Sequence, residues 1–130
     1  MAALPDNTIS PSPAQANKAG KPLIDLILDT LEDAKAEDTV AVDITGKSSL
    51  ADHMVVTSGR SQRHVAAVAD QIINVLRDNG YGKPRVEGLP YADWVLVDSG
   101  DVIVHIFRPE VREFYNIEKM WQADFAADQH

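Results

Sequence analysis

Several short groups of residues in this chain are of types that could do chemistry. Gly46-Lys47-Ser48-Ser49 has the ending of a phosphate loop. A phosphate loop also needs a glycine five residues ahead of its Gly-Lys-Ser, where Ala41 stands, and a helix directly behind. The pattern behind it reads as a strand. A metal-dependent nucleotidyl transfer site is a second option, with Ser48 in a Gly-Ser turn ahead of carboxylates that would hold magnesium. Asp52 supplies one acid, but its alternate neighbour Met54 cannot hold a metal. Two-metal phosphoryl chemistry needs several oxygen ligands converging on one point. The histidines are His53, His64, His105 and His130. No two internal ones have metal-ligand spacing and no cysteine supplements them, so neither a metal nor another cofactor is expected. Ser61 and His64 are one helical turn apart, where Ser61 serves better as a helix cap than as a nucleophile. His64 itself reads as a donor or acceptor for nearby backbone.

The more informative stretch is residues 91–107, YADWVLVDSGDVIVHIF. Two runs rich in Val, Ile and Leu flank Asp98-Ser99-Gly100-Asp101, which predicts a β-hairpin with Ser99-Gly100 as its two-residue loop. In that register Asp98 opposes Asp101, Val97 opposes Val102, Leu96 opposes Ile103, Val95 opposes Val104 and Trp94 opposes His105. Side chains alternate faces along a strand. One face therefore carries Val95, Val97, Val102, Val104 and Ile106, suited to a core. The other carries Trp94, Leu96, Asp98, Asp101, Ile103, His105 and Phe107. Aromatics beside acids and a histidine suit a surface that meets a partner. Asp98 and Asp101 read equally as turn residues, where Asp is favoured, and as acids neutralised by a partner's cation. His105 reads either as a packing partner of Trp94 or as part of the recognition surface. Trp94 is the first interface candidate, because it starts a strand, lies on the mixed face and is of a type enriched at binding hot spots.

Composition narrows the classes. A chain of 130 residues is one domain by prior and long enough for a core without staples. The absence of cysteine excludes disulfides, thiolate metal sites and a Cys nucleophile. A net charge of −8, with the twelve Lys and Arg scattered, disfavours direct binding to DNA or RNA and favours a basic protein partner. No run is long enough to span a bilayer, so no membrane association is expected. Residues 1–20 lack the pattern of a signal peptide and contain no Arg, as a transit peptide would. Their three prolines among small and polar residues predict a disordered tail, and the expected location is the cytoplasm.

The elements that must position these residues follow in order. Leu23, Leu26, Ile27, Leu31 and Ala34 recur at helix spacing and predict a helix to about Ala36. Its acids Asp25, Asp29, Glu32 and Asp33 form a solvated outer face. Residues 39–45 and 53–57 read as strands. A helix capped by Ser61 buries Val65, Val68, Ala69, Ile72 and Leu76, and Asn79-Gly80 closes it. Residues 84–88 form a short edge strand, and Pro109 opens a last helix over residues 110–121, with Tyr115 and Trp121 packed on the sheet. The expected fold is a single α/β domain, residues 21–122, built on one mixed sheet of about five strands flanked by helices, with a short tail over 123–130.

Three blocks resemble the ribosomal silencing factor family, RsfS, also called the Iojap or YbeB family. They are AVDITGKSSLADHMVVTSGRSQRHVAAVAD (41–70), VEGLPYADWVLVDSGDVIVHIF (86–107) and REFYNIEKMW (112–121). The resemblance implies a fold like that of nucleotidyltransferases without their activity, and a homodimer off the ribosome. It also implies binding to large-subunit ribosomal protein fourteen at the face that meets the small subunit. Such binding blocks subunit joining and represses translation under nutrient limitation or in stationary phase. It places the family's contact tryptophan at Trp94, with further contacts along the same strand and turn. With the mixed face read from alternation, this gives the candidate site Trp94, Leu96, Asp98, Ser99, Asp101, Ile103 and His105. At the turn, Ser99 stands where relatives commonly have a hydrophobic residue.

Overall fold

The computed structural model describes residues 21–115. Helix α1 (Leu23–Asp33) buries Leu23, Ile27, Thr30 and Leu31 along one stripe. It stops short of Ala36 because Lys35 takes a left-handed φ of 65°. The amides of Lys35 and Ala36 then turn back to the carbonyls of Glu32 and Leu31, which satisfies acceptors the helix end leaves open. Strand β1 (Glu37–Asp43) begins and ends two residues before the expected strand over 39–45. Strand β2 (His53–Ser58) follows after a loop of tight turns. Helix α2 (Gln62–Asp78) opens on Ser61, whose side chain accepts from the His64 amide as expected of a cap. It ends on Gly80, with φ 88°, and the Tyr81 amide returns to the Leu76 carbonyl.

Strands β3 (Arg85–Glu87), β4 (Trp94–Asp98) and β5 (Val102–Phe107) precede helix α3 (Pro109–Tyr115). The five strands form one sheet in the order β1-β2-β5-β4-β3. β2 and β5 run parallel, and the other pairings are antiparallel. The sheet is thus mixed, and β3 lies at an edge as the proline before it suggests. The expected tails (1–20 and 123–130) lie outside the described residues. So do the expected continuation of the last helix to residue 121, Trp121 itself, and the expected packing of Tyr115.

The main core lies between α1, α2 and one face of the sheet. Val55, Val65, Val68, Ile72, Val95, Val97, Val104 and Ile106 are all fully buried there. A smaller cluster covers part of the opposite face: Val42, Ile44, Ala51, Met54, Val56 and Phe107, with Val40, Trp94, Ile103 and Val111 packed against it.

One expectation is corrected. Trp94 pairs with Phe107, Val95 with Ile106, Leu96 with His105, Val97 with Val104 and Asp98 with Ile103. The Ser99 amide donates to the Val102 carbonyl at 3.0 Å, so the two loop residues are Gly100-Asp101 and not Ser99-Gly100. The reason is backbone sterics. Primed hairpin turns need positive φ at the first loop position, which Gly100 adopts at 96° and serine would adopt only under strain. Each partner moves by two residues. A shift of two preserves the alternation, so both faces keep the strand residues read for them, while Asp101 leaves the mixed face for the loop.

Candidate partner-binding surface

The mixed face of β4 and β5 carries the site residues, and its chemistry is local. Trp94 starts β4 half-buried, with its ring stacked on Phe107 of the paired strand at a centroid distance of 4.9 Å and an angle of 29°. Its indole Nε1–H donates to Nδ1 of His105 at 3.0 Å. An indole nitrogen only donates, and a ring nitrogen that accepts must be unprotonated. His105 is therefore a neutral ring with its proton on Nε2. Burial pushes its pKa down to about 4, because the charged form would lose its water. His105 is 8% exposed, so it lies beneath the surface beside Trp94 and not on open ground. Its side chain therefore offers a partner little surface of its own. The alternative of packing against Trp94 is the one observed, across the diagonal of the corrected register.

Leu96 and Ile103 are half-buried on the same face, one strand apart. Asp98 and Asp101 no longer oppose each other. One Asp98 oxygen accepts from the Gly100 amide at 2.9 Å, which is turn chemistry. The Asp101 carbonyl accepts from the amides of Asp52 and His53, tying the hairpin tip to the start of β2. The Ser99 hydroxyl donates to the Val102 carbonyl at 2.7 Å. All seven candidates thus belong to one hairpin and one face or its turn. Arg85 and Glu87 join them from β3, since they pair with Asp98 and Leu96.

Residues not singled out from the sequence hold this surface in place. Asp93, directly before Trp94, accepts at Oδ1 from Gln62 Nε2 and from Arg108 Nε, both at 2.8 Å. The Gln62 hydrogen bond, then that of Arg108, holds its carboxyl below the usual carboxylate range. The Arg108 amide also donates to the Asp93 carbonyl. The start of β4 is thus clamped to the start of α2 and the end of β5. Behind it, a Cβ on Gly88 would lie 2.1 Å from the Trp94 carbonyl oxygen, so the loop closes only on glycine. The Asp-Trp adjacency was the only sequence signal of this clamp. Phe107, read simply as part of the mixed face, is fully buried and forms the floor under Trp94.

The enzymatic candidates do not converge. Ser48 and Lys47 donate their amides to the Ile44 carbonyl in a turn that leads to β2, without the helix a phosphate loop requires. Met54 is buried in the smaller cluster beyond Asp52. Among the described residues, no three His, Asp or Glu side chains stand where they could share a metal ion. Ser61 caps α2, and both His64 ring nitrogens are engaged. Nδ1 accepts from the Arg60 amide at 3.0 Å, which leaves Nε2–H to donate to the Ala34 carbonyl at 2.9 Å. That bond staples the end of α1 to the start of α2 and leaves neither His64 nitrogen free to serve Ser61 as a base. Among the described residues, no helix is long and apolar enough to cross a membrane.

Comparison with known proteins agrees with this geometry. The sequence model of the family described as "Ribosomal silencing factor during starvation" matches residues 16–130. A ribosomal silencing factor of Zymomonas mobilis is 44% identical over 92% of this chain and 90% of its own length. A mouse protein named for mitochondrial assembly of the ribosomal large subunit is 31% identical over 89% of this chain and 52% of its own. A crystal structure of a Chromobacterium violaceum protein superposes with a TM-score of 0.75 at 38% identity, covering 77% of this chain and 83% of that one. One from Bacillus halodurans gives a TM-score of 0.70 at 38% identity, covering 76% and 92%. The α/β domain with its half-open mixed face, and the match over nearly its whole length, place this chain in the ribosomal silencing factor family.

Proposed function

We propose that this chain binds the large ribosomal subunit through its protein fourteen and keeps the small subunit from joining, repressing translation when nutrients run short. The observation that carries this reading is Trp94, an indole kept half-exposed on an ordered face beside Leu96 and Ile103. Trp94, Leu96 and Ile103 bury apolar area against the partner, and Asp98 and Asp101 meet its basic side chains, with Ser99 beside the turn. The acidic character of the chain favours encounter with a basic protein. The relative named for large-subunit assembly supports the choice of subunit. The mechanism is steric exclusion, so the bound domain needs no catalytic group. It acts in the cytoplasm, with a homodimer as its form off the ribosome.

Sedimentation of purified subunits tests this reading. The wild-type chain travels with the large subunit and suppresses joined ribosomes, and Trp94→Ala does neither. Normal joining with the chain left at the top of the gradient would overturn it. The oligomer is read separately, from the sedimentation coefficient of the isolated chain.

A further inference from the structure

We propose that His105 is a positioning residue, whose Nδ1 acceptor and the Phe107 ring together hold the Trp94 indole in one partner-ready orientation before any partner arrives. The inference rests on the reading of Trp94 as a contact residue and adds what makes that contact ready. A half-exposed Trp on a strand can turn about its side-chain bonds, and an unheld ring must be ordered when it binds. Among the described residues, Phe107 and His105 each restrain it. Phe107 stacks under the ring at 4.9 Å, and the His105 ring, tilted 45° to the indole, takes its only polar hydrogen.

The histidine is itself immobilised. It sits between Val56 of β2 and Leu96 of β4, which pair with it on either side, and its ring lies 6.1 Å from that of Phe107. Both residues that flank it in the row are apolar. A polar ring there is explained by the indole it serves. The arrangement also limits the chemistry of the substitute. Asn carries its Oδ1 at the same bond distance from the backbone as the Nδ1 of His, so it can accept from the indole, whereas Phe and Leu cannot.

The test uses the full chain labelled with ¹⁵N, in a Trp121→Phe background so that a single indole N–H signal remains. Its probe is the isolated large subunit. In His105→Phe the indole hydrogen exchanges with water about tenfold faster or more, and affinity for the large subunit falls about tenfold. His105→Asn restores slow exchange and most of the affinity. His105→Leu serves as the second acceptor-free variant, and thermal unfolding of each identifies any that is not folded. An indole N–H equally protected in the acceptor-free variants would overturn the hydrogen-bond restraint. A freed indole with unchanged affinity would overturn the positioning role alone, provided Trp94→Ala still loses binding. Unchanged affinity in Trp94→Ala overturns the contact reading and the positioning role with it.

Discussion

The two faces of the β4–β5 hairpin are made by alternate residues of the same strands, and they solve different problems. Val95, Val97, Val102, Val104 and Ile106 meet α1 and α2, and none is more than 1% exposed. That side asks only for apolar volume of the right shape, which β-branched residues on a pleated surface supply. The other side is roofed unevenly. The smaller cluster closes over β1, β2 and Phe107, while Trp94, Leu96, Asp98 and Ile103 stay half-exposed. There each polar group needs its own arrangement: the indole N–H goes to His105, and Asp98 goes to the turn amide. A face left over from folding would need no such provision for an exposed ring. The contrast is between a side that holds the fold and a side that the fold holds out.

Substitutions on the two faces should therefore separate stability from binding. The largest effect is expected on the core side. Ile106→Ala should destabilise the chain by about 3–4 kcal/mol, through lost transfer energy and the cavity left behind. Denaturant unfolding measures this, and a loss below about 1 kcal/mol would deny that this face is the core.

Acid should act through the other face. The pKa of His105 is about 4 in the folded chain against an ordinary 6.5, so the unfolded chain binds the extra proton between these values. Stability then falls as pH drops from about 6.5 and the loss is complete near pH 4, amounting to about 3 kcal/mol. Val56 and Leu96, which flank the ring in its row, offer no charge to offset this. Asp93, whose carboxyl is shifted down, contributes stability that is lost only as pH falls below the ordinary carboxylate range. The two windows are therefore distinct. His105→Asn should flatten the upper one, and unfolding curves at a series of pH values read the difference.

Trp94→Ala should cost on the order of 2 kcal/mol or more in binding to the isolated ribosomal protein. Its cost to unfolding should be smaller than that of Ile106→Ala, because the ring is only half-buried. Equal losses in both assays would erase the distinction between the faces. The smallest effect belongs to Leu96→Ala, with a stability change within about 1 kcal/mol for a partly exposed side chain. Its binding loss should be measurable by the same titration, and a change in stability alone would remove Leu96 from the surface.

The local layer of this protein was legible in its residues. Ser61 caps α2 and Gly80 closes it, Pro109 opens α3, and alternation along β4 and β5 sorted the two faces correctly even where the register was wrong by two. These features depend on a handful of neighbouring residues: a hydroxyl in reach of free amides, a glycine with positive φ, a side chain pointing to the opposite side of its neighbour. The sequence also carried the family blocks that led to Trp94.

Tertiary structure decided the rest. It placed the roof over only part of the mixed face, since that depends on where the loop before β2 and the start of α3 come to lie. It brought Gln62 and Arg108 to Asp93, and Ala34 to His64, across separations of 15 to 31 residues. It also turned His105 from a surface candidate into the buried acceptor behind Trp94. Such contacts join elements whose approach depends on the packing of the whole core, and no pattern within one strand or helix contains that distance.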